Sequence, residues 1–310
     1  MLPSPMLRAV VALLLVYSPS LLAWNATGHR AITFLAYNYL TPKARVRVEA
    51  ILKAHPDYRD MFSKGLALDS TDIARNAFTA ASVWPDVIKG DARFADTSKT
   101  KSGPALPGFP DMLRHQNWHY INSPVPAEFR NEPIEPANAL SEIRRLLKVL
   151  RKDGPVTPEE IYALPWLLHL ISDVHQPLHT VSRFYRNAGG ATEQDKGGNG
   201  CYLAEDRNLH SLWDNILGTN AEEGTVARLA ASLQDHLAMP KKVDVKPENW
   251  IREGIDLSQN VVYSFQGNCR DREKPLRLPA DYKAKARAAA LQHGAMGAYR
   301  LAAILNEKFD

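Results

Sequence analysis

The chain has 310 residues, of which 45% are hydrophobic, and this is enough apolar material to bury a sizeable core. These values exclude a disordered chain, a coiled coil and a small disulfide-held domain. Lysine and arginine number 38 against 34 acidic residues, so the net charge is only +4. The sequence has no basic block of the kind that forms a nucleic-acid-binding tail, so any specificity for a polyanion must come from a local site.

The first 23 residues have the parts of a secretory signal peptide. Arg8 supplies the positive charge, residues 9–16 form an apolar run too short for a membrane span, and Ala23 precedes the expected cleavage point. A cut at a neighbouring bond is the alternative, because Leu21 is a weak match to the small residue preferred there. We therefore expect a single domain over residues 24–310 that is secreted or periplasmic, with no membrane span and no evident obligate protein partner.

Apolar periodicity predicts a mainly α fold: a single helical domain with long loops and few short strands. Thr157-Pro158-Glu159-Glu160 predicts the start of a long apolar helix that Pro165 is expected to kink. Other helices are predicted at 41–53, 137–150, 205–217, 222–238, 246–264 and 281–306. Proline and glycine concentrate at 103–110, 124–136, 187–200 and 266–280, which predicts loops there.

Two cysteines, Cys201 and Cys269, lie in the expected mature chain. An even pair in an oxidising compartment usually forms a disulfide, and we expect one here. A zinc-binding role is the alternative, but neither cysteine lies in a CxxC pair.

Two histidine-aspartate pairs are spaced four residues apart within helical patterns. They are His169 with Asp173 and His210 with Asp214. Residues four apart lie about 40° apart around a helix axis, so each pair can reach the same ion or adjacent ions. Gln176-Pro177 then turns the chain back towards His179, a further nitrogen ligand. A lone histidine is more often a packed core residue, but this grouping favours a metal site.

Further candidates precede these pairs. Trp24 and His29 open the mature chain, Asp86 follows a proline turn, and His119 lies between aromatic residues. Taken singly, Asp86 reads as a cap and His119 as a packed imidazole. The remaining histidines are expected to have ordinary structural roles. Some have no carboxylate at helical spacing in a supporting context, and one lies about 200° around the helix from Asp173 and so points away from it. The former are His55, His115, His236 and His293; the latter is His175.

Taken together, the motifs resemble a known family, the trinuclear-zinc nucleases that include the fungal S-one and P-one enzymes. The similarity covers essentially the whole mature chain. It rests on Trp24 with Gly28-His29, Trp84 with Asp86, Trp118-His119, the segment His169 to His179, Gly197-Gly198-Asn199, Asn208 to Asp214, and the closing segment Ala298 to Asn306.

The resemblance implies three zinc ions in a mostly helical fold. Asp86, His119 and His169 would hold the first ion. Asp173 would bridge from it to a second, which His29 and the amine and carbonyl of Trp24 would also bind. The third ion would be held by His179, His210 and Asp214. Nitrogen and oxygen ligands without thiolate are typical of catalytic zinc with an open coordination position.

The same resemblance implies roles for residues near the ions. Lys89 would face the phosphate and offset charge that grows in the transition state, with a solvated surface lysine as its alternative. Tyr120 would stack on a base, and Asn199 would hydrogen-bond substrate unless it is only a turn residue. The fungal enzymes have an aspartate where this chain has Asn122, so base preference cannot be carried over.

The expected function is therefore that of an exported zinc hydrolase, with Asp173 and Lys89 as its catalytic residues. It would cleave single-stranded DNA and RNA to 5′-phosphorylated products, with 3′-nucleotides as further substrates. One alternative is a zinc-dependent phospholipase C, which shares this fold but typically has a glutamate in the position of Asp214. Another is a noncatalytic zinc-binding exported protein, which so many imidazole and carboxylate ligands disfavour.

Overall fold

A computed structural model describes residues 24–64, 72–100 and 103–310. The predicted signal peptide lies outside these residues. Helices make up most of the described chain. They are α1 (Ala26–Asn38), α2 (Pro42–Lys53), α3 (Ile73–Ala81), α4 (Trp84–Val87), α5 (Ala139–Leu147), α6 (Pro158–Asp173), α7 (Pro177–Thr180), α8 (Leu209–Asn215), α9 (Glu223–His236), α10 (Pro247–Leu257) and α11 (Tyr282–Phe309). The expected mainly helical fold class is thus confirmed.

Three short strands form a small sheet beside the helices. Strand β2 (Val181–Arg186) lies in the middle, parallel to β1 (Ser123–Val125) and antiparallel to β3 (Thr192–Gln194). The predicted loops at 124–136 and 187–200 therefore contain strand residues, because backbone pairing with β2 organises them. Strand β2 begins immediately after α7, so the sheet continues directly from the turn that carries His179.

Helix α6 forms the centre of the domain. Every residue from Tyr162 to Asp173 is buried, and α1, α2, α4, α5 and α11 pack around it. A helix that is apolar on all sides is stable only inside a core, which explains this position. The predicted capping start is confirmed, because Thr157 and Glu160 form a reciprocal capping box. The helix continues through Pro165 as far as Asp173.

Several predicted helix ends move in the structure. Helix α2 begins and ends as expected, with Thr41 as its cap. The segment predicted at 246–264 is α10 followed by a π-helical turn at Ser258–Val262. The segment predicted from 205 begins only at Leu209, because the Asn208 side chain caps it by accepting a hydrogen bond from the Ser211 amide. Helices α1, α3, α4 and α7 were not predicted from the sequence.

The expected disulfide is present between Cys201 and Cys269, which excludes the alternative zinc role for these cysteines. The bridge joins the segment after β3 to the loop before α11, which are 68 residues apart in sequence. Within the described ranges, no helix is long and apolar enough to cross a membrane.

A buried ion pair fixes the start of α6. Both Glu160 oxygens accept hydrogen bonds from the Arg47 guanidinium of α2, at 2.7 and 2.8 Å. The same carboxylate accepts from the backbone amides of Arg151 and Thr157. Because the Glu160 side chain is fully buried, these partners replace the hydrogen bonds that water would otherwise make to its oxygens.

We expect Arg47→Ala to lower the free energy of unfolding by about 3 kcal/mol, since it leaves a buried carboxylate without its cation. Urea denaturation monitored by circular dichroism measures the change. The matched control is Lys53→Ala, which removes the exposed ion pair with Glu49 on the same helix and should cost less than about 0.5 kcal/mol. Equal effects of the two substitutions would show that the Arg47 pair does not fix α6.

Candidate metal centre

The start of the expected mature chain is held firmly by Asn25. Its side chain caps α1 by accepting hydrogen bonds from the Thr27 and Gly28 amides. The same side chain donates to the Gly218 carbonyl at 2.6 Å, and its backbone amide donates to the carbonyl of Asp214 at 3.2 Å. Helix α1 therefore begins directly beside the end of α8.

Trp24 is fully buried between α1 and α6. Its indole nitrogen donates to the Ser172 carbonyl at 3.1 Å. A side chain at Gly28 would lie only 3.0 Å from the Trp24 Cβ, so glycine at that position allows the two residues to approach closely. Ser172 and Gly28 immediately precede Asp173 and His29, and Trp24 thus lies next to both of these residues in the fold.

Asp173 is the centre of the first group of site residues. One carboxylate oxygen lies 3.3 Å from His29 Nε2. The other lies 3.1 Å from His169 Nε2 and 3.3 Å from His119 Nδ1. The His29 and His169 rings stack with centroids 4.0 Å apart. The two oxygens thus face different histidines, the arrangement that a bridging ligand needs.

Asp86 completes this group from the side of α4. Its Oδ1 lies 3.7 Å from His169 Nε2 and 3.8 Å from His119 Nδ1. Lys89, one helical turn later, forms a 2.7 Å ion pair with the same oxygen and is largely buried. The alternative of a solvated surface lysine is therefore excluded, and Asp86 is not a solvent-facing cap.

A second group joins α7 and α8. Asp214 Oδ1 lies 3.9 Å from His179 Nε2, and Asp214 Oδ2 lies 3.5 Å from His210 Nε2. Gln176, which is fully buried, donates to Asp214 Oδ1 at 2.7 Å. This bond orients the carboxylate towards the two imidazoles.

Backbone carbonyls orient three of the imidazoles. His169 Nδ1 bonds to the Ser82 carbonyl at 2.8 Å, His179 Nδ1 to that of His119 at 2.6 Å, and His210 Nδ1 to that of Gly197 at 2.6 Å. A ring whose Nδ1 donates keeps a lone pair on Nε2, which is the tautomer needed for metal binding.

Glycine is required at position 197. Its φ is +61°, and an added Cβ would lie 2.5 Å from the Leu178 carbonyl oxygen. Only glycine allows the carbonyl at this position to meet His210 while the chain passes so close to α7.

Burial controls the protonation of the histidines. It lowers the pKa of His169 and His210 to about 4, and it holds the pKa of His119 and His179 well below their ordinary value. All four are therefore neutral at pH 7. Metal binding requires this neutral form.

The carboxylates respond in different directions. Burial raises the pKa of Asp173 to about 7 and that of Asp214 well above its ordinary value. Burial would also raise the pKa of Asp86, but the Lys89 ammonium and the nearby imidazoles outweigh it and lower that pKa. A nearby cation would favour the ionised forms of Asp173 and Asp214.

The donor atoms fit metal ions. They form three clusters in which the atoms lie within 4.8 Å of one another, namely His29, His169 and Asp173; Asp86, His119 and His169; and His179, His210 and Asp214. Within the described residues, both ring nitrogens of His29, one oxygen each of Asp86 and Asp173, and His179 Nε2 are buried without a hydrogen bond. Leaving such atoms unpaired is costly, and a bound cation would satisfy them. A donor set of nitrogen and oxygen suits zinc in an open site.

A cleft of about 640 Å³ opens above the clusters. Lys89, Tyr120, Asn122 and Asn199, all singled out from the sequence, line it together with His119, His179 and His210. Residues that sequence reasoning missed also line it, including Gln116, Glu135, Phe184, Gln194 and Lys196. Gln116 lies in the helical turn Gln116–His119, and the others lie on β2, on β3 or in segments predicted as loops. Strand alternation on β2 is the signal that could have indicated Phe184.

The histidines that were expected to have ordinary structural roles lie outside the three clusters. His175 turns away to bond with the Ile171 carbonyl and Arg300. His115 differs from expectation in one respect, because its Nε2 lies 2.9 Å from the Asp111 carboxylate. The two residues are four apart in sequence, but they lie in a loop, where His115 also stacks on Trp118. The pair was not predicted because the sequence around it has no helical pattern.

The fold and these clusters define a mostly helical protein with a buried centre able to hold several metal ions. The S1/P1 Nuclease family model matches residues 24–310, and the chain belongs to that zinc-dependent family. It is similar to Nuclease S1 of Aspergillus oryzae (strain ATCC 42149 / RIB 40), with 23% identity over 273 residues. That similarity covers 84% of this chain and 78% of the relative. Family and relative together indicate a nuclease, a hydrolase that acts on nucleic acid.

We expect zinc to raise the melting temperature of chelator-treated protein by more than about 10 °C at pH 8, because ions that bind only the folded chain stabilise it by mass action. The rise should shrink as the pH falls to 5.5, since protons compete for Asp173 and Asp214, whose pKa values burial raises. Differential scanning calorimetry with equal free zinc at each pH measures both effects. Magnesium serves as the control cation, and an equal rise at the two pH values would contradict the assignment of these carboxylates.

Proposed function

We propose that the chain is an exported endonuclease that cleaves single-stranded DNA and RNA to 5′-phosphorylated products and also removes the phosphate of 3′-nucleotides. The observation that carries this proposal is that His119, His179 and His210, which belong to two of the three His/Asp clusters, line one cleft together with Lys89 and Tyr120, while the third cluster shares His169 with one of these two. Aromatic and amide side chains beside the clusters provide contacts for an unstacked base. A base inside a duplex could not enter such a cleft.

Three zinc ions would be held at the clusters. The proposed ligands of the first ion are Asp86, His119 and His169. His29 and Trp24 would bind the second ion, and Asp173 would be a ligand of both the first and the second. The proposed ligands of the third ion are His179, His210 and Asp214. When bound, zinc supplies Lewis-acid activation of water and of the phosphate ester. The two groups of ligands are neighbours, because His179 Nδ1 lies 4.0 Å from Asp173 Oδ2.

The chain's own residues position the substrate. Lys89 lies at the cleft wall with its ammonium 2.7 Å from Asp86, where it can offset the negative charge that grows on the phosphate in the transition state. Tyr120 is half-buried and lines the cleft, so a base can stack on its ring. Asn122 and Asn199 offer amide groups to the edge of that base. In hydrolysis the oxygen of water forms a bond to phosphorus, the bond between phosphorus and the 3′ oxygen breaks, and the 3′ oxygen takes up a proton. The phosphate stays on the 5′ oxygen of the next nucleotide.

The test compares phosphate-ester hydrolysis of single-stranded DNA, RNA, a 3′-mononucleotide and phosphatidylcholine. We expect the zinc-loaded protein to hydrolyse the first three, and Asp173→Asn to reduce all three rates by at least about 100-fold, because the shared charge is lost while the side-chain shape is kept. Circular dichroism of the variant controls for folding. Hydrolysis of phosphatidylcholine alone would instead establish the phospholipase C alternative, and no hydrolysis by folded, zinc-loaded protein would establish a noncatalytic role.

Removal of residues 1–23 is part of the proposal, because the α-amine of Trp24 exists only after that cut. An amine with a pKa of about 8 can lose its proton to zinc at modest cost, whereas the amide of the uncut chain is a very poor ligand. The buried position of Trp24 beside His29 and Asp173 supports this role.

One extra residue before Trp24 should therefore lower both the zinc content and the specific activity. The comparison is between protein that begins at Trp24 and protein with a single additional glycine, at equal zinc supply, with elemental analysis and single-strand cleavage as the two measurements. A control with an added residue at the carboxyl terminus should match the first protein. Equal zinc content and activity in all three would refute the role of the Trp24 amine.

A further inference from the structure

A second cleft adjoins the cleft above the metal clusters. It has a volume of about 460 Å³, and Asn199 lines both clefts. Tyr202, Arg207 and Arg272 line the second cleft and do not line the first. The two clefts are therefore continuous at Asn199, and a chain-like substrate held in the first can extend into the second.

Two arginines give the second cleft its charge. Arg207 and Arg272 are exposed, and across the described part of the chain neither guanidinium takes part in an ion pair or side-chain hydrogen bond. The acidic lining residue Asp206 is neutralised by Lys283, whose ammonium lies 2.8 Å away. Its neighbour Glu205 is paired with Arg277. The two guanidinium groups are thus the uncompensated charges, and they suit the phosphates of a nucleic-acid backbone.

Tyr202 adds an aromatic ring to this cleft. It is half-buried, so one part of the side chain packs against the protein while the other lines the opening. Cationic groups with an adjacent aromatic ring are the combination by which proteins bind single strands without sequence preference.

The disulfide holds the two walls together. Cys201 and Cys269 join the segment before Arg207 to the loop that carries Arg272. Backbone hydrogen bonds continue the connection, because the Ala204 amide donates to the Leu276 carbonyl at 2.9 Å and the Leu276 amide donates to the Tyr202 carbonyl at 3.0 Å. The two segments that carry the arginines are therefore linked to each other by the fold itself.

We propose that this second cleft is a subsite for the nucleotides next to the one held at the metal clusters, with Arg207 and Arg272 binding backbone phosphates and Tyr202 stacking on a base. The proposal deepens the proposed nuclease function and rests on it. It makes single strands of several nucleotides better substrates than dinucleotides.

The test uses zinc-loaded protein and two measurements. The first is the ratio of the KM for a dinucleotide to the KM for a single-stranded dodecamer. The second is the salt dependence of binding of a phosphorothioate dodecathymidylate, which keeps every backbone charge. Arg207→Ala/Arg272→Ala should lower the KM ratio about tenfold or more and reduce the slope of log Kd against log salt by about 1.4, since each lost contact to a single strand accounts for about 0.7.

Two controls make the result specific. Arg207→Lys/Arg272→Lys keeps both charges and should retain most of the slope. Arg59→Ala removes an exposed arginine that lines neither cleft and should leave both measurements unchanged.

The outcomes separate the two proposals. In one outcome the wild-type protein cleaves single strands, and the double alanine variant keeps both the slope of log Kd against log salt and the KM ratio. This result would overturn the subsite and leave the nuclease function standing. A wild-type protein that cleaves no nucleic acid, but whose binding slope falls in the double variant, would overturn the nuclease function and leave a nucleic-acid-binding cleft.

Discussion

One buried carboxylate organises the site. Asp173 ends the central helix with no solvent exposure, and its two oxygens lie 3.1 to 3.3 Å from the imidazoles of His29, His119 and His169. A charge in such a position needs compensation from more than one direction, because burial raises its pKa to about 7. The surrounding fold supplies the required rigidity. Helix α6 is enclosed by other helices and anchored at its start by the Arg47–Glu160 pair, so its last residue cannot move independently.

The rest of the site depends on backbone groups as much as on side chains. The carbonyls that orient His169, His179 and His210 belong to three different segments, and each must be delivered to a specific ring nitrogen. This explains why irregular chain surrounds a helical core. A helix or strand satisfies its own carbonyls, whereas turns and short helical ends leave them available for bonds to ligands.

Sequence patterns predicted those parts of the site that depend on local geometry. The four-residue spacing of His169 with Asp173 follows from one helix turn, and the start of α6 follows from Thr157 and Glu160. Patterns within one segment could not predict pairings between segments, such as β2 with β3 or Glu135 with Tyr120 in one cleft. Helix α1 was not predicted because it is buried on most of its sides and therefore lacks a clear alternation of polar and apolar faces. Asn25 was also not recognised as its cap. The family resemblance, and not periodicity, supplied the placement of Asp86 and His119 in the same site.

The cost of burial links the fold to its ions. The candidate ligands come from α1, α4, the turn at Gln116–His119, α6, α7 and α8, and therefore from segments spread over most of the described chain. Packing alone brings their polar atoms together in a dry interior, where several lack hydrogen-bond partners. Each atom left so would oppose folding. A bound cation would reverse the sign of this contribution, since it would satisfy these atoms and link the segments that carry them. The arrangement that suits the proposed hydrolysis is therefore also one whose folding bound metal would favour.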